Sequence, residues 1–236
     1  MKYDVILFDI DDTLLDFPKA EKAALHNTFM DYKMPTGFSD YHTSYREISK
    51  VLWTLLEEGA LSLQELGVER FQRLFANHQL AVDAELFSQS YLTHLGNETH
   101  LIEGAVELCQ SLDGCRLAIM TNGFGTVQKS RIQNSPLAEL FEQIIISEET
   151  GFQKPDPGIF EYAFKILQGA EKEKALIVGD SLSSDIQGGN NYGIATCWFN
   201  PHYKKNETAI KPTYEIHSLL EVADIVNESA KQKSMQ

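Results

Sequence analysis

Asp4 to Asp9 (DVILFD) is a compact apolar run closed by a carboxylate, the pattern of a short buried strand. Four runs of the same kind follow: Arg116 to Thr121 (RLAIMT), Gln143 to Ser147 (QIIIS), Ala175 to Asp180 (ALIVGD) and Ile194 to Phe199 (IATCWF). Between them, Glu103 to Leu112, Val127 to Ile132 and Ile159 to Leu167 repeat apolar residues at three and four, the period of a helix with one buried face. Asp156 then Pro157 forms a cap and first-turn proline for the third of these. Strands alternating with helices predict an α/β fold, a Rossmann-like parallel sheet covered on both faces.

One interval breaks the rhythm. From Asp9 to Arg116 the chain is far longer than a normal crossover connection. Within it, Lys19 to Tyr32, Ser44 to Glu58, Ser62 to His78 and Ala84 to His94 read as amphipathic helices separated by Pro35, Gly37, Gly59 and Asp83. The interval predicts an inserted all-α cap domain over 17–97, with 1–16 plus 98–236 forming the α/β core domain. An insertion that leaves beside the C-terminal end of a strand stands over the place where open α/β sheets bind ligands. Hinges are expected near Phe17–Pro18 and Gly96–Asn97, and the polar stretch from Glu228 to Gln236 is expected to fray.

Charge narrows the choice of partners. The chain carries 34 acidic and 20 basic residues, a net charge of −14, so its surface repels nucleic-acid polymers and the anionic face of a membrane. A small anionic substrate remains open to it, given a metal ion and a well-placed lysine. Val5 to Phe8 is too short for a signal-peptide or membrane segment, and Cys109, Cys115 and Cys197 show neither a disulfide framework nor zinc-ligand spacing; a cytoplasmic protein with reduced thiols is expected.

Four segments carry candidate chemistry, each at or just beyond a strand end or on a loop that can reach it. In Asp9-Ile10-Asp11-Asp12-Thr13, clustered carboxylates repel one another unless a cation lies among them, and a hard oxygen-binding ion such as Mg²⁺ relieves that repulsion. One carboxylate can then attack phosphorus while its neighbour manages protons. An acidic turn with Thr13 as a helix cap is the plainer alternative. Thr121-Asn122-Gly123 offers a hydroxyl and backbone N–H groups to an anion, although such turns are commonplace. Lys154 precedes Pro155-Asp156-Pro157, and could serve a phosphate or simply be a loop lysine before a helix. In Gly179-Asp180-Ser181-Leu182-Ser183-Ser184-Asp185, Asp180 is a candidate metal ligand, while Asp185 could hold the lysine or a metal-bound water, or only complement a helix dipole.

Taken in order, DIDDT, the Thr of MTNG, KPDP and GDSLSSD resemble the four motifs of the haloacid dehalogenase superfamily, and the resemblance spans the chain, inserted helical cap included. It implies Asp9 as nucleophile, Asp11 as general acid and then base, and Thr121 and Lys154 as holders of the transferring phosphoryl group. It also implies Mg²⁺, with Mn²⁺ possible, bound by Asp9, the Asp11 backbone carbonyl and Asp180 with support from Asp185; Thr13, Asn122 and Gly123 would lie against the substrate. Dehalogenases have no leaving group to protonate and typically lack the second carboxylate, so Asp11 and the following Thr13 point to a phosphatase.

Met120 to Phe124, Leu52 to Phe71 and Gly193 to Pro201 are similar to a YjjG/YfnB-type branch, whose members resemble nucleoside 5′-monophosphate phosphatases. Gly59-Ala60-Leu61-Ser62 would then be the cap loop that faces the site and selects the leaving group. Trp53 and Arg70 are the cap candidates for base stacking and polar recognition, set against a core tryptophan among Leu52, Leu55 and Leu56 and a helix-bridging arginine. Phosphatases of sugar phosphates or other small metabolites, a phosphomutase, and a non-catalytic phosphate-binding protein are the alternatives.

Overall fold

The computed structural model describes residues 1–35 and 37–233. In chain order the elements are β1 (Val5–Phe8), α1 (Phe17–Asp31), α2 (Phe38–Glu57), α3 (Leu63–Asn77), α4 (Ala84–Gly96), α5 (Ala105–Ser111), β2 (Arg116–Thr121) and α6 (Gly125–Gln133). They continue with β3 (Gln143–Ile146), α7 (Ser147–Thr150), α8 (Pro157–Ile166), β4 (Ala175–Gly179), α9 (Gln187–Tyr192), β5 (Ala195–Phe199), β6 (Tyr214–Ile216) and α10 (Glu221–Lys233). Two compact units result. One is Met1–Asp16, Leu101–Gly125 and Ile132–Gln236; the other is Phe17–His100 with Thr126–Arg131.

The first unit holds a six-stranded sheet in the order β3-β2-β1-β4-β5-β6, with every pair parallel. Period-two alternation splits each apolar strand between two cores. Ile6, Phe8, Leu117, Ile119, Leu176 and Val178 pack on one face with Leu108 of α5 and Val222 and Val226 of α10. Val5, Leu7, Ala118, Met120, Ala175 and Ile177 pack on the other with Ile159, Phe160 and Ala163 of α8. A two-sided core explains why these strands read as continuous apolar runs. β1 lies at the centre, where the strand order reverses, so the loops after β1, β2 and β4 meet at one rim.

β6 and α10 were not anticipated. β6 is three residues long and largely solvated, too little pattern to register. α10 extends to Lys233, where fraying from Glu228 was expected; Val222, Ile225 and Val226 are buried against the sheet and carry the polar continuation as helix. Residues 234–236 of that stretch lie outside the described residues. Among the described residues no helix is long and apolar enough to cross a membrane.

The second unit packs α1 to α4 around an aromatic core. Phe29, Phe71, Phe75 and Tyr91 touch one another or Phe87 with ring centroids 4.9–6.2 Å apart, edge-on except for the stacked Phe71–Phe75 pair, arrangements that suit ring quadrupoles. α2 begins at Phe38, before the Ser44 expected, because Phe38 and Tyr41 also pack inward on Phe29. Ser62 and Glu65 form a reciprocal capping box at the start of α3, and the Asp83 carboxylate accepts from the Glu85 and Leu86 N–H groups at the start of α4. Thr126–Arg131 groups with these helices, Arg131 donating from Nε to the Glu98 carbonyl at 3.1 Å.

Candidate active site

Asp9 follows β1, Thr121 closes β2 and Asp180 follows β4, so three adjacent parallel strands deliver their terminal side chains to one rim. The Asp9 N–H still donates to the Val178 carbonyl at 2.9 Å, extending the ladder by one residue and fixing where the carboxylate starts. Beyond it the chain turns sharply: Asp12 adopts φ 60°, in the left-handed region, and its N–H returns to the Leu15 carbonyl at 2.8 Å. Thr13 is buried, with its hydroxyl 3.4 Å from Asp9 Oδ2. Asp11 is half-buried and bridges to Leu15.

Lys154 lies on the loop before α8 and reaches back under this turn with its side chain only 1% exposed. Its ammonium donates to Asp9 Oδ1 at 2.6 Å, Asp185 Oδ1 at 2.7 Å and the Met120 carbonyl at 2.7 Å, one acceptor for each N–H. Asn122 secures the lysine from below: its Oδ1 accepts the Lys154 N–H at 2.8 Å and its Nδ2 donates to the Lys154 carbonyl at 2.7 Å. The Asn122 side chain is thus committed to the lysine loop. Gly123 is buried in the bend that follows. The Asp156 cap on Gly158 N–H, at 2.7 Å, sets the loop's exit into α8.

Asp185 lies in a π-helical turn, Leu182–Ile186, just before α9. Its second oxygen accepts the Ser181 N–H at 3.0 Å, while Ser181 Oγ accepts the Ser184 N–H at 3.2 Å. The carboxylate presses so close to β4 that a Cβ at position 179 would lie 2.2 Å from Asp185 Oδ2, so only glycine fits there. The Trp198 indole N–H donates to the Asp180 carbonyl at 2.8 Å. Ser181, Trp198 and the Met120 carbonyl were not singled out from the sequence; nothing local marks an indole that steadies a backbone carbonyl eighteen residues away.

Charge balance dominates the electrostatics. Burial pushes the Asp9 carboxyl up to about 7, Asp185 and Asp11 add to the shift, and Lys154 opposes it. Asp180 is raised well above the carboxylate range by burial first, then by Asp185, Asp9 and Asp12. Burial alone would lower Lys154, but Asp185 and Asp9 outweigh it and hold the ammonium charged. One ammonium serves too many carboxylates. Ligand oxygens of Asp9, Asp180 and Asp185 lie within 4.8 Å of one another, an all-oxygen donor set of the kind that suits a hard divalent cation.

The two cap candidates lie in the helical unit. Trp53 is half-buried against the apolar cluster of Leu52, Leu56 and Leu66. Arg70 is buried, with its guanidinium 3.1 Å from the Tyr45 hydroxyl and 4.7 Å from the centre of the Tyr91 ring.

A strand-ended carboxylate, a buried lysine and a second acidic loop on a parallel sheet define a class of hydrolase site, and the comparisons with known proteins name the class. The haloacid dehalogenase-like hydrolase family matches residues 3–193, and the chain belongs to that family. It is 40% identical over 227 residues to the HAD-hydrolase YfnB of Bacillus subtilis, covering 96% of each chain. It is 39% identical over 238 residues to the pyrimidine 5′-nucleotidase PynA of Streptococcus pneumoniae, covering 99% of each. With the pyrimidine 5′-nucleotidase YjjG of Escherichia coli it shares 33% identity over 227 residues, 96% of this chain and 99% of that one. The magnesium-bound crystal structure of YfnB superposes with a TM-score of 0.90 over 96% of this chain and 100% of that one. The protein is a hydrolase with a haloacid dehalogenase-type core.

Proposed function

We propose that the protein is a divalent-metal-dependent phosphomonoesterase that works through a phosphoaspartyl intermediate on Asp9 and prefers pyrimidine nucleoside 5′-monophosphates. The observation that carries the reading is the buried Lys154 ammonium bridging Asp9 and Asp185 beside Asp180, at the rim where β1, β2 and β4 end. The substrate preference draws on the pyrimidine 5′-nucleotidases at 39% and 33% identity, each matched over nearly its full length.

Asp9, Asp180 and Asp185, with the Asp11 carbonyl, would hold Mg²⁺ or Mn²⁺, which supplies charge neutralisation for the phosphate oxygens. The chain's own groups divide the remaining work. Lys154 keeps Asp9 from turning away from its target and opposes the burial that favours its neutral form. An Asp9 oxygen attacks phosphorus, the ester P–O bond breaks, and Asp11 gives its proton to the departing alkoxide. Asp11 then takes a proton from water, the water oxygen attacks phosphorus, and the bond to Asp9 breaks to release phosphate. The Thr121 hydroxyl and the backbone of Asn122 and Gly123 cradle the phosphoryl oxygens, and the Thr13 hydroxyl steadies Asp9. Trp53 is the cap position proposed to act on the leaving group; Arg70 is enclosed by Tyr45, Phe71 and Tyr91 in the core of the helical unit, which supports the helix-bridging role for it instead.

A panel of phosphomonoesters with Mg²⁺ tests the reading. Pyrimidine 5′-monophosphates should show the highest kcat/KM. Equal rates across the panel, or a preference for sugar phosphates, would reject the substrate class and favour the small-metabolite alternative.

A further inference from the structure

The strand beside Asp180 brings up a second cation that the reaction above does not use. Trp198 of β5 is the register partner of Gly179, so the residues after Phe199 emerge next to Asp180 at the same rim. Asn200 is buried there and closes a tight turn: its Oδ1 accepts the Lys204 N–H at 2.8 Å and its Nδ2 donates to the Lys204 carbonyl at 2.9 Å. The same amide donates to Glu215 Oε1 at 2.7 Å, tying the turn to β6. Tyr203, at φ 52°, stacks on His217 with ring centres 4.0 Å apart, and His217 Nδ1 bonds the Asn200 carbonyl at 2.7 Å. The backbone of Lys204 is pinned while its side chain stays exposed.

Electrostatics give this placement a use. Asp9, Asp11, Asp12, Asp180 and Asp185 act on one another at the rim, and the ammonium of Lys154 is already shared between two of them. The whole chain adds a net charge of −14. A phosphate ester arriving as a dianion meets this field before it meets any bound metal. The Lys204 charge counteracts the carboxylates at Asp180.

We propose that Lys204, presented by the Asn200 turn, is a substrate-recruiting residue whose ammonium draws the phosphate ester to the rim and binds its non-bridging oxygens there. The proposal rests on the phosphomonoesterase reading. Lysine suits the task because its compact charge on a flexible stem can follow an anion from solvent.

The test is steady-state kinetics of wild type, Lys204→Gln, Lys204→Arg and Asn200→Ala with Mg²⁺ and 5′-UMP. Lys204→Gln should raise KM about fivefold, leave kcat within about twofold and flatten the dependence of kcat/KM on ionic strength. The inhibition constant of inorganic phosphate should rise by the same factor. Lys204→Arg should restore both, and Asn200→Ala, which frees the turn but keeps the charge, should fall between. An unchanged KM and salt slope in Lys204→Gln would overturn the proposal, as would a change confined to kcat or to the Mg²⁺ activation constant. Wild-type protein inactive on every phosphomonoester would instead overturn the reading beneath it.

Discussion

Lys154 illustrates how a single side chain can be both the anchor of a site and its main liability. Its ammonium is fully enclosed and satisfies three acceptors, so its loss leaves Asp9 and Asp185 buried without a counter-charge. Lys154→Met should cost roughly 3–5 kcal/mol in urea unfolding without metal, and added Mg²⁺ should recover part of that loss because a cation can replace the missing charge. A variant as stable as wild type without metal would show that the lysine carries no such burden. Asp9→Asn keeps the shape of the side chain but removes the oxygen anion proposed to attack phosphorus; kcat should fall on the order of 10³-fold or more with the unfolding midpoint little changed. Gly179→Ala places a methyl group on the Asp185 carboxylate, so Mg²⁺ affinity should drop about 10–100-fold, as calorimetric titration would register. The cysteines offer a further check. Burial pushes the Cys109 thiol up to about 12, whereas Cys115 is only half-buried, so a thiol reagent at pH 8 should label native Cys115 and spare Cys109.

Elements set the precision with which these side chains meet. The strands are buried on both faces and cannot slip, because a one-residue shift would exchange the two cores on either side of β1. That rigidity suits a rim where Asp9, Thr121 and Asp180 must keep their separations. The helical unit relies more on its ends: α4 begins with the Asp83 carboxylate accepting two backbone N–H groups at 3.0 Å. Asp83→Ala should destabilise the protein by about 1 kcal/mol and speed hydrogen exchange in the first turn of α4, leaving kcat on a small phosphate ester unaltered. Uniform loss of protection across the sheet as well would contradict a local role.

For the whole molecule, the surplus of carboxylates at the rim is expected to link folding to a divalent cation. A cation that binds only the folded chain stabilises it by mass action, about 2.7 kcal/mol at a hundredfold excess over its Kd. Thermal unfolding should therefore shift upward with Mg²⁺, and a chelator should reverse the shift and abolish turnover together. A midpoint indifferent to Mg²⁺ would argue against a site built around Asp9, Asp180 and Asp185.

Local pattern alone determined the strand segments that became β1 to β5, the helices of the insertion and the cap at Asp156, because burial on both faces, helical period and capping are written within a few consecutive residues. β6 and the far end of α10 were not legible, since what stabilises them is contact with the sheet rather than their own composition. Only the tertiary structure decided that Lys154 stands between Asp9, 145 positions away, and Asp185, 31 positions away. The same holds for Trp198 at Asp180 and for the Asn200 turn that presents Lys204. Charge and hydrogen bonding act through space. Motif order announces which residues have chemistry to offer, but strand order determines which of them can share an ion.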